Sequence, residues 1–411
     1  MADDAPTATV NERQREQQAK PAPGVEDQQQ FVGDGEYQEA FGEDLAKTLD
    51  VDTWATGIDW EGAVARLKTE ITAALGREES LRATVRKEIL PLLGKKAELA
   101  DVGGVYRTTA GEIAKVHEGL LFPGRVEAID GTSVSHDTLP LGITQIGIAV
   151  VSYGGTSATF AQRVYRKEIA GRAGDAFKAA LEIINKRDSR SGIGQTDGMS
   201  ELGRRGIMTY AERKILVDKS TAEWRIGHGH PAPYELLTGS GSMHLLEASL
   251  EMLGRLIEFK RFLFVPSAPG ERGLLTIGNA LAPGEYAVID TIERSMERIV
   301  ENGHYAGKYR DKAMAFVKSY GPHVVRGLYC ASEHSPPYLF YAHREQVHLA
   351  ARIAVADSVL RPARGFPMLI DVADVTCKSA FGAAGFLGLI HDAYAQAGGS
   401  MKYFGERETR R

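Results

Sequence analysis

The chain has 411 residues, 43% of them hydrophobic, and a formal net charge of −5. That length supports one large core or two ordinary ones once a tail is set aside. The charge balance excludes a globally basic nucleic-acid binder and leaves only a local patch for such a contact. Two cysteines, Cys330 and Cys377, can build neither a disulfide framework nor a Cys-rich zinc site, and they point to a reducing compartment.

Residues 1–45 are polar, rich in Gln, Asp, Glu and Pro, and poor in aliphatics, so they read as a disordered arm. From Trp60 to Leu99 the pattern turns helical. Val64, Leu67, Ile71 and Leu75, then Leu81, Val85, Ile89 and Leu93, recur at helical spacing, which predicts two amphipathic helices in a helical extension over 46–120. The stretch "AGEIAKVHEGLLF" continues in helix and delivers the chain to "VEAIDGTSVSH". That run, with "GITQIGIAVVSYGG" and "TSATFAQRVYRKEI", predicts an antiparallel meander. A helical region containing "TYAERKILVDKSTAEW" follows, then a predicted short strand "YELLTG", a helix "MHLLEASLEMLGRLIEFK" and the strand "RFLFVPSA". "EYAVID" and "VVRGLY" add strands, and "LIDVADVTCKSAFGAAGFLGLIHDAYAQA" closes the chain as helix. Three antiparallel strands followed by alternating helix and strand is the order of an α/β, RNase H-like mixed sheet flanked by helices. It is expected over 121–400, with a polar tail at 401–411. No apolar run reaches the ~20 residues of a bilayer span, and the N-terminus lacks the basic-then-apolar order of a signal peptide, so a cytoplasmic protein is expected.

One residue stands out chemically. Asp130 ends an otherwise apolar strand, where an unpartnered carboxylate would cost several kcal/mol to desolvate. Asp130-Gly131 is also a common hairpin signal, in which the side chain simply bonds its own turn. Among other motifs, "HGHP" at 228–231 offers two histidines to a metal or, without a third ligand at finger spacing, a loop held to backbone. "TGSGS" at 238–242 offers a weak anion site before a helix. There is no Walker A sequence, no Gly-x-Ser-x-Gly elbow and no His-Glu-x-x-His.

Taken in order, "EAIDGTS", two long strands, a helix bearing Glu212, "ELLTGSGS", "FLFVPSA" and "GFPMLIDVADVTCKSAF" resemble the NurA family. These are RNase H-like nucleases that work with the hexameric HerA ATPase in DNA end processing. The resemblance implies a DNA nuclease using Mn²⁺ or Mg²⁺, a homodimer, and a HerA-like ring partner. Phosphodiester cleavage by that route uses two cations ~4 Å apart, held by carboxylates that converge from different elements. Carried over by motif, Asp130 matches the first carboxylate and Glu212 the second, with Glu223 as its rival. Asp374 matches a further metal or catalytic position, with Asp371 three residues away. The chain departs from the family twice: Thr238 stands where an Asp is expected, with Glu235 nearby, and Pro266 stands where a Lys is expected. The alternatives are a NurA-like subunit that has lost catalysis and guides DNA, and an RNase H-like domain acting on RNA.

Overall fold

The computed structural model describes residues 34–54, 57, 60–137, 141–167, 202–267, 271–303, 305 and 307–402. The chain divides into two compact units, Met1–Leu75 and Gly76–Arg411. The arm expected over 1–45 lies outside the described residues as far as 33, but Asp34–Phe41 is an α-helix, followed by Leu45–Leu49. The helix Trp60–Thr84 carries the predicted stripe, with Val64, Leu67, Ile71 and Leu75 all more than half exposed.

The second unit is built on one sheet, nine-stranded among the described residues, in the order β1-β7-β8-β9-β6-β5-β2-β3-β4. The strands are β1 (Gly104–Arg107), β2 (Val126–Asp137), β3 (Leu141–Val151), β4 (Ser157–Lys167), β5 (Trp224–His228), β6 (Phe262–Val265), β7 (Glu285–Thr291), β8 (Val324–Tyr329) and β9 (Tyr338–His343). β2, β3 and β4 form the predicted antiparallel meander, β2 pairs in parallel with β5, and β5 pairs in parallel with β6. The run β4-β3-β2-β5-β6 is the RNase H-like arrangement, and the antiparallel strands β9, β8, β7 and β1 extend it.

Both faces of the central strands are covered, so they are apolar along their length and successive side chains go to opposite cores. On one face Ile129, Ile146, Ile148 and Phe264 pack with Leu216 of the helix Ile207–Asp218 and with Met252 and Leu256 of the helix Met243–Phe259. On the other, Val126, Ala128, Trp224 and Ile226 pack with Ile353 of the helix Val347–Ser358 and with Leu369 and Ile370 of the helix Met368–Phe381.

Several expectations are corrected. "YELLTG" is a helical turn over Tyr234–Leu237 rather than a strand. Pro233 starts it, burial of Leu236 and Leu237 holds it, and the Thr238 hydroxyl closes it by donating 2.7 Å to the Tyr234 carbonyl. The strand that actually follows the Glu212 helix is Trp224–His228, ten residues earlier. Gly104–Arg107, expected within a helical extension, pairs with β7 as an edge of the sheet. The closing helix is two, Met368–Phe381 and Ala383–Gln396, divided at Gly382, whose backbone is extended. Tyr338–His343 was not expected as a strand. Its burial on both faces removes the alternation that marks one. The tail from 403 onward lies outside the described residues.

The N-terminus of the helix Met368–Phe381 is seated on a buried acid. Asp357 accepts from the Leu369 backbone N–H at 2.9 Å and from the Tyr153 hydroxyl at 2.5 Å. Burial pushes its carboxyl up to about 6, and the Tyr153 and Leu369 bonds oppose that rise. A carboxyl with a raised folded-state pKa keeps its proton longer in the folded chain. Its contribution to stability is therefore full below its ordinary value near 4 and is lost as pH rises toward about 6. Urea midpoints of wild type and Asp357→Asn compared between pH 4 and pH 6 should show wild type losing ground to the variant as pH rises; a constant difference would refute this assignment.

Candidate active site

The parallel pairing of β2 with β5 gives out beside two matching dipeptides, a polar residue followed by glycine: Asp130-Gly131, which lies within β2 rather than at its end or in a hairpin turn, and His228-Gly229, where β5 stops. The pairing runs from Val126 opposite Trp224 to Ile129 opposite Gly227. β5 then stops at His228, while β2 runs on to Asp137 paired only with β3 on its other side. The carboxyl ends of parallel strands at a point where the chain parts are where open α/β sheets bind ligands.

Asp130 is buried, and His228 Nδ1 lies 3.5 Å from its Oδ1. That contact raises the His228 pKa above its ordinary value, against the opposing effect of burial. Glu212 arrives from the opposite face of the sheet, on the helix Ile207–Asp218. It reaches the strand because residue 131 is glycine: a Cβ there would sit 2.4 Å from Glu212 Oε1. The Glu212 side chain is buried, which pushes its carboxyl up to about 7. Arg213 pulls the other way and the Asp130 charge adds to the rise. Arg213 donates Nη1 to Glu212, and its Nη2 donates to the carbonyls of His228 at 3.2 Å and His230 at 2.9 Å. One guanidinium thus ties the Glu212 helix to the turn that carries His228.

The remaining candidates divide. Asp371 is buried and held by Arg361 at 3.1 Å and Arg364 at 2.8 Å, so it is engaged by arginines rather than open to a cation. Asp374 pairs with Lys378 at 2.8 Å on the half-exposed side of the same helix. Glu223 pairs with Arg261 at 3.2 Å, outside the Asp130–Glu212 pair. Thr238 caps a helical turn, and Glu235 lies in that turn rather than on a strand, so the placement of either at a second strand end is overturned. The residue at that strand end is His228, which sequence reasoning read only as one of two loop histidines. The repeated polar-Gly ending after an apolar run was the signal available for it. His230 does fit the loop reading: its Nδ1 accepts from the Ala232 N–H at 3.0 Å, and burial lowers its pKa to about 3. Cys377 is inert, its thiol donating to the Gly147 carbonyl at 3.2 Å and pushed up to about 12 by burial.

Among the described residues no three His, Cys, Asp or Glu side chains converge as a closed set for a metal ion. The part of the site that fits a hard cation is the Asp130–Glu212 pair, two buried carboxylates whose charges repel and whose approach is cut to shape at Gly131. Mg²⁺-type sites are commonly of this kind, with one or two carboxylates and the remaining positions left to water and substrate phosphate.

No protein-family model matches the chain, and no curated protein matches it. Among solved structures, the chain is similar to the NurA nuclease from Sulfolobus solfataricus, at 9% identity over 81% of this chain and 98% of that one, with a TM-score of 0.40. It is similar to NurA bound to dAMP and manganese, at 8% identity over 80% and 95%, with a TM-score of 0.42. It is also similar to the catalytic domain of human endonuclease V, at 14% identity over 74% and 98%, with a TM-score of 0.31.

The geometry of the second strand end depends on Gly227, where a Cβ would lie 2.2 Å from the Phe264 ring. Gly227→Ala should therefore cost ~1–3 kcal/mol in urea unfolding. An unchanged midpoint would show that Phe264 yields freely and that His228 is not held from this side.

Proposed function

We propose that this chain is a metal-dependent nuclease that cleaves DNA phosphodiesters, using Mn²⁺ or Mg²⁺ held by Asp130 and Glu212. The observation that carries the reading is the juxtaposition of two buried carboxylates, one from each face of the sheet, where β2 and β5 part. A bound dication would lower the pKa of a water and stabilise the departing oxygen. The protein's own contribution is positional. Arg213 fixes Glu212 relative to the His228 turn, and Gly131 admits the Glu212 carboxylate to the strand. His228, in contact through Nδ1 with Asp130, keeps Nε2 for a phosphate that would bind at Asp130. Asp374, paired with Lys378, is the candidate for an accessory position at the rim.

The family resemblance extends the proposal to a homodimer seated on a HerA-like ring ATPase in DNA end processing. The exposed Val64, Leu67, Ile71 and Leu75 stripe supports a partner for the helix Trp60–Thr84. The chain has no ATP-binding motif of its own, so ATP should act only through such a partner.

A second reading, a DNA-guiding subunit with impaired catalysis, is favoured by one observation: Glu212 is engaged by Arg213, Asp130 by His228, and Asp374 by Lys378. Linear DNA incubated with the purified protein in Mn²⁺ or EDTA, with and without a ring ATPase, separates the two. Under the first reading, Asp130→Asn and Glu212→Gln each lose at least ~100-fold in Mn²⁺-dependent cleavage while DNA binding persists. Retained cleavage by Asp130→Asn would leave Asp130 a buried strand residue with no metal role. Under the second reading wild type does not cleave. His228→Asp, which supplies the carboxylate that Thr238 cannot, should then confer cleavage or lower the cation concentration required.

A further inference from the structure

We propose that Arg361 and Arg364, held together by Asp371, form a clamp for a backbone phosphate of the nucleic-acid strand bound at the Asp130 site. The inference rests on the nucleic-acid substrate of the preceding reading but not on cleavage.

Two guanidiniums meet one carboxylate here. Arg361 Nη1 donates to Asp371 Oδ2 at 3.1 Å, and Arg364 Nη2 lies 2.8 Å from Asp371 Oδ1. The carboxylate side chain is 12% exposed, whereas the arginine side chains are 52% and 51% exposed. The acid is therefore inside and both cations face out, leaving a formal +1 on the group. Fastening the 361–366 segment to the helix Met368–Phe381 would need only one of the arginines. With two, each guanidinium spends one nitrogen on Asp371 and presents its remaining donors to solvent in a fixed orientation. A pair of pre-oriented guanidinium forks suits phosphate oxygens, and the ordering entropy has already been spent in the fold.

Its position ties the cluster to the site. The Arg364 guanidinium lies 5.5 Å from the centre of the Phe366 ring, and Phe366 meets the His228 ring edge-on at 5.9 Å. His228 in turn contacts Asp130 at 3.5 Å. An unbroken line of contacts thus runs from the catalytic carboxylate to the arginine pair, on the sheet face that carries the helix Met368–Phe381. A strand whose scissile phosphate sat at Asp130 could present a neighbouring phosphate to this pair. The cluster also supplies the local positive patch that a chain with net charge −5 needs in order to hold DNA. The sequence places Asp371 three residues from Asp374 on one helix; the geometry makes it the holder of two cations.

The test is binding without chemistry. A fluorescein-labelled 20-nucleotide single-stranded DNA is titrated by anisotropy in EDTA, across a series of salt concentrations, with wild type, Arg361→Ala, Arg364→Ala, the double variant, and Arg261→Ala as a charge-matched control. Each of the two single variants should weaken binding several-fold. The slope of log affinity against log salt should become shallower by ~0.7 for the double variant, the value for one phosphate contact on a single strand. Arg261→Ala should leave both unchanged. Arg361→Lys and Arg364→Lys, which keep charge and fold but lose the fork, should bind more weakly than wild type with nearly the same slope. If the double variant, with an unchanged melting curve, binds with wild-type affinity and slope, the pair only fastens its loop and the proposal is overturned. If the alanine variants melt early, the lysine variants decide, and wild-type affinity in both overturns it. Since no divalent cation is present, failure of the nuclease reading leaves this result intact.

Discussion

The parallel pairing of β2 with β5, and its ending at Ile129 opposite Gly227, is the constraint on which the rest of the candidate site depends. Parallel neighbours must point the same way, so their next residues, Asp130 and His228, emerge side by side at one edge of the sheet. Side-chain alternation sends both to the face covered by the helix Met368–Phe381. Where β5 stops, β2 is open on that side, and Gly131 leaves the space through which Glu212 approaches from the other face. A two-sided candidate site thus follows from one register and one missing side chain.

Burial on both faces then decides the chemistry of each acid. Asp130, Glu212, Asp357 and Asp371 are all buried, and each has a specific partner: His228, Arg213, Tyr153 with the Leu369 N–H, and the arginine pair. Unpaired, such groups would cost several kcal/mol apiece. Their partners also divide the acids by role. Asp357 is locked away to seat a helix, Asp371 holds cations outward, and Asp130 and Glu212, from opposite faces of the sheet, are near enough for their charges to repel. Only that last pair gains directly from a dication, which is why the metal-dependent reading rests on it and not on the total number of acids.

The central fold was legible because its elements have strong periods. The three-strand meander, the amphipathic helix Met243–Phe259 and the apolar strand Phe262–Val265 each follow from local pattern, and their order gives the RNase H-like sheet. Asp130 was legible for a different reason: a carboxylate closing an apolar run is a local anomaly, although the strand itself continues to Asp137. Glu212 came from the order of motifs, and its helix is where that order implied.

What remained was decided by contacts distant in sequence. "YELLTG" is apolar enough for a strand, yet Pro233 and the burial of its two leucines make it a helical turn, a choice that depends on neighbours rather than on the segment itself. The strand "WRIGH" is only five residues long and buried, so it carries no alternation, and the role of His228 exists only once β5 lies against β2. Likewise Asp371 and Asp374 share a helix and a spacing, but arginines ten and seven residues before Asp371 turn the first into a holder of cations. The sequence by itself determined the strongly periodic elements and singled out Asp130, since those depend on interactions among near neighbours. The tertiary structure alone decided which polar groups meet, because burial energy and pairing depend on residues that the fold brings together across some 80 to 100 positions, as with Asp130, Glu212 and His228.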